Sequence, residues 1–182
     1  MTKVILIHGN GGGTGRDNWF PYLKKELNKI DIQCEAPDFP DSKLARAKFW
    51  LPFLKKLKAD QNTILVGHSS GAIAALRYAE NNKLLGSVLV GVYHTDLDDE
   101  GEKQSGYFDI PWQWAKIKNS QRWIAVYASK DDPYIPIKEP RFIKEKLAAE
   151  YFEFDDEGHF GSDKNKITFP ELLKFLKSKL NK

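Results

Sequence analysis

A chain of 182 residues with 28 Lys plus Arg, 25 Asp plus Glu and a net charge of +3 has the length of one domain and no charge bias toward a polyanionic partner. Its 41% hydrophobic and 13% aromatic residues suffice to fill a single core, which excludes a disordered chain, and 13 Gly with 9 Pro exclude a collagen-like or low-complexity one. The lysines are dispersed over helix faces with acidic residues between them, so neither a nucleic-acid nor a membrane surface is expected.

In chain order, a short apolar run at 4–8 reads as the first strand, too short for a signal-peptide core or a membrane span, and the expected location is the cytoplasm. A glycine-rich segment, Gly9-Asn10-Gly11-Gly12-Gly13, follows it. A helix over 19–29 leads to a strand at 33–37, where the lone Cys34 excludes an internal disulfide and reads as a buried, inert thiol. Then come a helix at 43–58, a strand at 63–67, a helix at 72–81 with its polar residues outward, and a strand at 87–92. The stretch 94–121 has no strong strand and reads as an insertion, since loops longer than about 12–15 residues are uncommon without a task. Its end predicts a short helix from Asp109 through Lys118, begun by a capping Asp and an early Pro. On such a helix Trp112 and Trp114 cannot share a face. A strand at 123–128, a helix at 138–149, a strand at 151–154 and a helix at 169–180 complete the chain.

Six apolar strands alternating with amphipathic helices predict an α/β fold, a mostly parallel six-stranded sheet with helices on both faces. In such a sheet the loops after the strands converge at one end, so polar residues distant in sequence meet there. Those loops hold Gly67-His68-Ser69-Ser70-Gly71, Ser129-Lys130-Asp131-Asp132-Pro133 and Gly158-His159-Phe160.

Gly67-His68-Ser69-Ser70-Gly71 lies between the strand Thr63-Ile64-Leu65-Val66 and the small-residue run Ala72-Ile73-Ala74-Ala75, the strand-turn-helix context of a G-x-S-x-G nucleophile elbow. Ser69 is then the nucleophile, and the Ser70 N–H points toward the oxyanion formed by its attack, while the Ser70 hydroxyl is dispensable. A serine needs a base, and histidine, with an ordinary pKa of about 6.5, suits the task. Of the four histidines, His8 precedes the glycine loop, His68 points away from Ser69 and His94 opens the insertion. His159 alone follows the last strand, in the order serine, acid, histidine. Asp131 and Asp132 both follow the fifth strand, and spacing does not choose between them as the acid. The glycine loop has Thr14 where a dinucleotide fingerprint needs its third glycine, and no Lys-Ser/Thr pair, so nucleotide binding weakens. Its other use is to bring a second N–H, that of Asn10, to the oxyanion.

No H-E-x-x-H and no paired cysteine point to a metal. The acidic run from Asp96 to Gly101 starts like a calcium loop but places Tyr107 where a bidentate Glu belongs, and reads as solvated. Tyr107, Phe108, Trp112, Trp114 and Phe160 are candidate walls of an apolar substrate pocket.

These motifs, together with Trp50-Leu51-Pro52-Phe53, Ser105-Gly106-Tyr107-Phe108 and Pro111-Trp112-Gln113-Trp114, resemble nearly end to end the small α/β-hydrolase-fold serine hydrolases that include retinoblastoma-binding protein 9 and its bacterial relatives. The resemblance implies a minimal hydrolase without a large lid domain and a triad of Ser69, Asp132 and His159. It also implies small ester or amide substrates, aminoacyl or peptide-like ones included, and no metal or organic cofactor. The Leu-x-Cys-x-Glu motif credited with the namesake's retinoblastoma-protein contact is replaced here by Leu57-Lys58-Ala59-Asp60-Gln61, so that partner is not expected. Nothing in the sequence requires more than a monomer. The rival reading is a non-catalytic protein-interaction module on a hydrolase fold.

Overall fold

The computed structural model describes residues 2–180. The strands are β1 (Lys3–Ile7), β2 (Gln33–Glu35), β3 (Thr63–His68), β4 (Gly86–Val90), β5 (Ile124–Ser129) and β6 (Glu150–Phe154). All neighbouring pairs are parallel, in the order β2-β1-β3-β4-β5-β6. The helices are α1 (Phe20–Asn28), α2 (Ala47–Lys56), α3 (Ser70–Ala79), α4 (Glu100–Ser105), α5 (Trp114–Asn119), α6 (Lys138–Leu147) and α7 (Pro170–Leu180). No helix among the described residues is long and apolar enough to cross a membrane.

The period-two alternation of the strands builds two separate cores. Val4, Leu6, Ile64, Val66, Val88, Val90, Ala125 and Tyr127 point to one face, where Phe20, Leu23 and Leu27 of α1 and Leu172 and Leu176 of α7 cover them. Ile5, Ile7, Leu65, Leu89 and Val126 point to the other, against α2, α3, α5 and α6. Because both faces are covered, the central strands β1, β3, β4 and β5 are almost wholly buried and mostly apolar, as the sequence predicts for a covered parallel sheet. The sheet margins differ from its centre: β2 spans three residues, and β6 places Glu150 against Lys179 and Glu153 in a two-pronged pair with Arg141 at 2.7 and 2.9 Å.

Several helix bounds depart from expectation for local reasons. α2 starts at Ala47 rather than at 43 because Ala45 has φ +51°, and the Asp41 carboxylate instead ties up the Arg46 N–H, Nε and Nη2. The insertion holds two short helices rather than one. Asp99 caps the first by accepting the Glu102 N–H at 3.0 Å, so the acidic run is partly structural rather than simply solvated. The second begins at Trp114, and Asp109 caps nothing there. Trp112 therefore lies outside the helix, free of its 100° step, and the Trp112 and Trp114 rings stack at 5.3 Å, contrary to the expectation that they diverge.

α3 is buried along its whole length, Arg77 included, so the outward polar face expected of it is absent. Arg77, 5% exposed, spends its fork on the insertion: Nε donates to the Tyr107 carbonyl (2.8 Å), Nη2 to that of Ile110 (2.7 Å) and Nη1 to that of Pro111 (3.3 Å). Nη1 also meets Glu80 at 2.7 Å, and the guanidinium lies 3.7 Å over the Trp112 ring.

Candidate active site

Strand order reverses between β1 and β3, so the loops after these two strands open side by side at the carboxyl end of the sheet. The contact is tight: a Cβ on Gly9 would lie 3.2 Å from the Ser69 Cβ. Ser69 joins β3 to α3 at φ +55°, ψ −125°, a conformation that costs a non-glycine residue on the order of 1–3 kcal/mol. Its backbone is held from both sides, the N–H by the Val90 carbonyl at 2.9 Å and the C=O by the Ala72 N–H at 2.8 Å. Gly71 is required by closeness, since a Cβ there would fall 2.2 Å from the Ile7 carbonyl oxygen. β3, the turn and α3 thus hold Ser69 at the mouth of the sheet.

His159 arrives on the loop after β6, fixed at three points. Its Nδ1 lies 2.8 Å from Asp132 Oδ2, its N–H donates to Asp163 Oδ2 at 2.8 Å, and its carbonyl accepts from His68 Nε2 at 2.7 Å. Gly91, at φ +60°, lies beneath the ring; a side chain there would meet His159 Cε1 at 2.9 Å. The other Asp132 oxygen accepts the N–H groups of Tyr134 (2.9 Å) and Ile135 (3.0 Å), which aims Oδ2 at the imidazole. Asp131 faces elsewhere. It takes Lys164 Nζ at 2.8 Å, the Ser129 hydroxyl and the Gly158 N–H, and these partners, Lys164 foremost, hold its carboxyl down at about 2.

The remaining histidines are occupied. His8 donates from Nδ1 to the Gly9 carbonyl and accepts the Phe39 N–H at Nε2, and burial lowers its pKa. His94 stacks on Phe142 at 4.1 Å, with Nδ1 2.6 Å from the buried Glu139, away from the cleft. His68 is 6% exposed, and burial pushes its pKa down to about 3. Because the unfolded chain binds this proton from about pH 6.5 downward and the native one does not, stability should decline as pH falls from 7. By pH 5 the loss from His68 is about 2 kcal/mol. Thermal unfolding at pH 7 and 5 checks this: His68→Gln, which keeps a donor for the His159 carbonyl, should show a shallower decline, and equal declines would remove His68 as the cause.

Ser69, His159, Asn10 and Tyr93 line a cleft of about 930 Å³, with Leu97, Pro133, Tyr134 and Ile135 as apolar walls. None of the five expected pocket aromatics lines it. Tyr107 and Phe160 are fully buried in the two cores, and Phe108, Trp112 and Trp114 pack against the α3 side, drawn there by Tyr93 and Arg77. The wall residues Tyr93, Leu97 and Tyr134 were missed. Tyr134, 64% exposed and edge-on to His159 at 5.2 Å, had a signal in its place two residues beyond Asp132. Asn10 lines the cleft beside Ser69, Ser70 follows Ser69 at the start of α3, and neither backbone N–H has a hydrogen-bond acceptor among the described residues. The Ser70 hydroxyl is not idle, lying 3.2 Å from the Tyr93 hydroxyl.

A parallel sheet covered on both faces, with a strained serine after β3 and an acid–histidine pair on the loops after β5 and β6, is the architecture of the α/β-hydrolases. Known proteins agree. A profile of the serine hydrolase family matches residues 4–178, and the chain belongs to that family. It is 43% identical to the serine hydrolase RBBP9 of Rattus norvegicus over 182 residues, 98% of this chain and 96% of that protein. The YdeN protein of Bacillus subtilis (strain 168) is 32% identical over 192 residues, covering 100% of this chain and 98% of that one. The crystal structure of the B. subtilis ydeN product superposes with a TM-score of 0.91 over the whole of both chains at 29% identity. Est1E from Butyrivibrio proteoclasticus shares the fold, at TM-score 0.76 and 13% identity over 100% of this chain and 90% of that one.

Proposed function

We propose that the cleft hydrolyses small esters or amides, aminoacyl and peptide-like ones included, through an acyl-enzyme on Ser69. With Nδ1–H donated to Asp132, the His159 Nε2 is free to take the Ser69 Oγ proton as the oxygen attacks the substrate carbonyl. The N–H groups of Ser70 and Asn10 stabilise the negative oxygen of the tetrahedral intermediate. Collapse breaks the bond to the leaving group, which departs with the proton returned by His159. Water, deprotonated by the same imidazole, then attacks the acyl group and releases the acid, restoring Ser69. Backbone donors and the imidazole supply all the charge stabilisation and proton transfer, so the scheme calls on no metal or organic cofactor.

The observation that carries this reading is the His159–Asp132 pair, at 2.8 Å, on the same cleft as a serine held at φ +55°. A cleft of about 930 Å³ suits a small molecule. Incubation with a fluorophosphonate probe tests it: intact protein should gain one adduct, located on Ser69, and Ser69→Ala should gain none. Equal labelling of the two would end the assignment.

A further inference from the structure

The insertion brings two carboxylates to the cleft: Asp99, occupied in capping α4, and Glu102, which the proposed reaction leaves without a task. Glu102, on α4, lines the cleft yet is only 7% exposed. Its Oε1 accepts from Asn10 Nδ2 at 2.8 Å. Its Oε2 is closed to solvent. Burial raises the pKa of the carboxyl, and the Tyr93 hydroxyl beside it counters part of that rise. Tyr93 is itself 1% exposed, and its hydroxyl is the one that meets Ser70 Oγ. The side chains of Asn10 and Ser70, the two residues proposed to present oxyanion donors, therefore converge on one buried pair, Tyr93 and Glu102.

We infer, on the strength of the hydrolase reading, that Glu102 is a positioning residue that sets the Asn10 amide for the oxyanion. The glycine loop needs such a hold. Gly11 and Gly12 take φ values of +70° and +91° and have open space where side chains would be. The far side of the loop is tied to the chain before α2 through Gly11 N–H to Lys43 C=O and Gly12 N–H to Ser42 C=O, both 3.0 Å. On the near side, the Asn10 side chain reaches across to Glu102. A direct contact between Glu102 and a cationic substrate is the competing role, and the geometry opposes it, because Oε1 is engaged and Oε2 is shut away from the cleft solvent.

Steady-state hydrolysis of p-nitrophenyl acetate, with thermal unfolding run alongside, tests the inference. Glu102→Ala should lower kcat by about 10–100-fold, less than the roughly 10²–10³-fold of an oxyanion donor removed outright, with KM within about threefold. Glu102→Gln keeps an acceptor for Asn10 Nδ2 and should recover most of the loss. Asn10→Ala, which keeps the backbone N–H but drops the side-chain hold, should match Glu102→Ala, and the double variant should lose little more than either alone. Asn10→Ala alone decides the matter should Glu102→Ala fail to fold. A folded Glu102→Ala or Asn10→Ala with unchanged kcat, additive losses in the double variant, or a rise confined to KM would overturn the inference. Ser69→Ala separates the two levels: turnover surviving in that variant sinks the hydrolase reading, whereas its loss beside unchanged kcat in Glu102→Ala and Asn10→Ala sinks the positioning role alone.

Discussion

Asp132→Asn is expected to lower kcat by about 10⁴-fold while leaving folding and KM nearly unchanged. The size follows from which atoms the carboxylate uses. Oδ1 accepts two backbone N–H groups, from Tyr134 and Ile135, and Oδ2 faces His159 Nδ1. An asparagine must keep its oxygen on the two N–H donors, so its NH₂ faces the imidazole. Nδ1 then becomes an acceptor and the ring proton moves to Nε2, where it blocks removal of the Ser69 proton. The side chain changes by one atom group and the packing around a residue whose side chain is 3% exposed is preserved. Kinetics on an activated ester, with thermal unfolding as the control, provide the measurement. A loss below tenfold would take Asp132 out of the proposed triad, and a matching loss in Asp131→Asn would show that the neighbouring acid shares the task.

Arg77→Met should destabilise the protein by about 3–5 kcal/mol, the usual consequence of stripping one partner from a buried pair. Methionine matches the length and fills the volume, so the loss reflects polar groups left behind: the carbonyls of Tyr107, Ile110 and Pro111, and the Glu80 carboxylate, which would retain the Gln113 N–H at 3.0 Å. Glu80 is 6% exposed, so water offers little compensation. For a domain of this size the melting temperature should drop by about 6–20 °C. Arg77→Lys should rescue little, because an ammonium serves neither three diverging carbonyls nor the face of Trp112. Chemical denaturation provides the energy. A change below 1 kcal/mol would mean that the insertion holds its place without the arginine.

The parts of the molecule legible in sequence were those written in local periodicity or fixed by the topology of a parallel sheet. All six strands are close to where the sequence pattern places them, and the convergence of their following loops puts Ser69, the adjacent Asp131 and Asp132, and His159 at one end, while the choice between the two acids is not written in spacing: only in the folded chain does Asp132 Oδ2 face His159 Nδ1. The insertion resisted for a physical reason. Its fold is set by Arg77, a residue of another element whose charge suggests a solvated position, and only the packed structure reveals that the guanidinium has four protein acceptors. The pocket failed for a related reason. Aromatic side chains mark burial without saying on which side, and Tyr107 and Phe160 are taken up by opposite cores. His68 and Asp163 hold the His159 backbone; the Asp163 contact is local to the last loop, but no spacing rule announces the His68 contact, which exists only once the end of β3 and that loop are side by side.

The two outermost strands have a consequence for the behaviour of the chain in concentrated solution. Exposed ribbon margins are where separate polypeptides zip together into aggregates, and proteins blunt them by shortening the strand or loading it with charge. β2 is too brief to template such growth, and β6 carries two glutamates already engaged by Lys179 and Arg141, so a foreign strand would have to displace ion pairs before any cross-chain ladder formed.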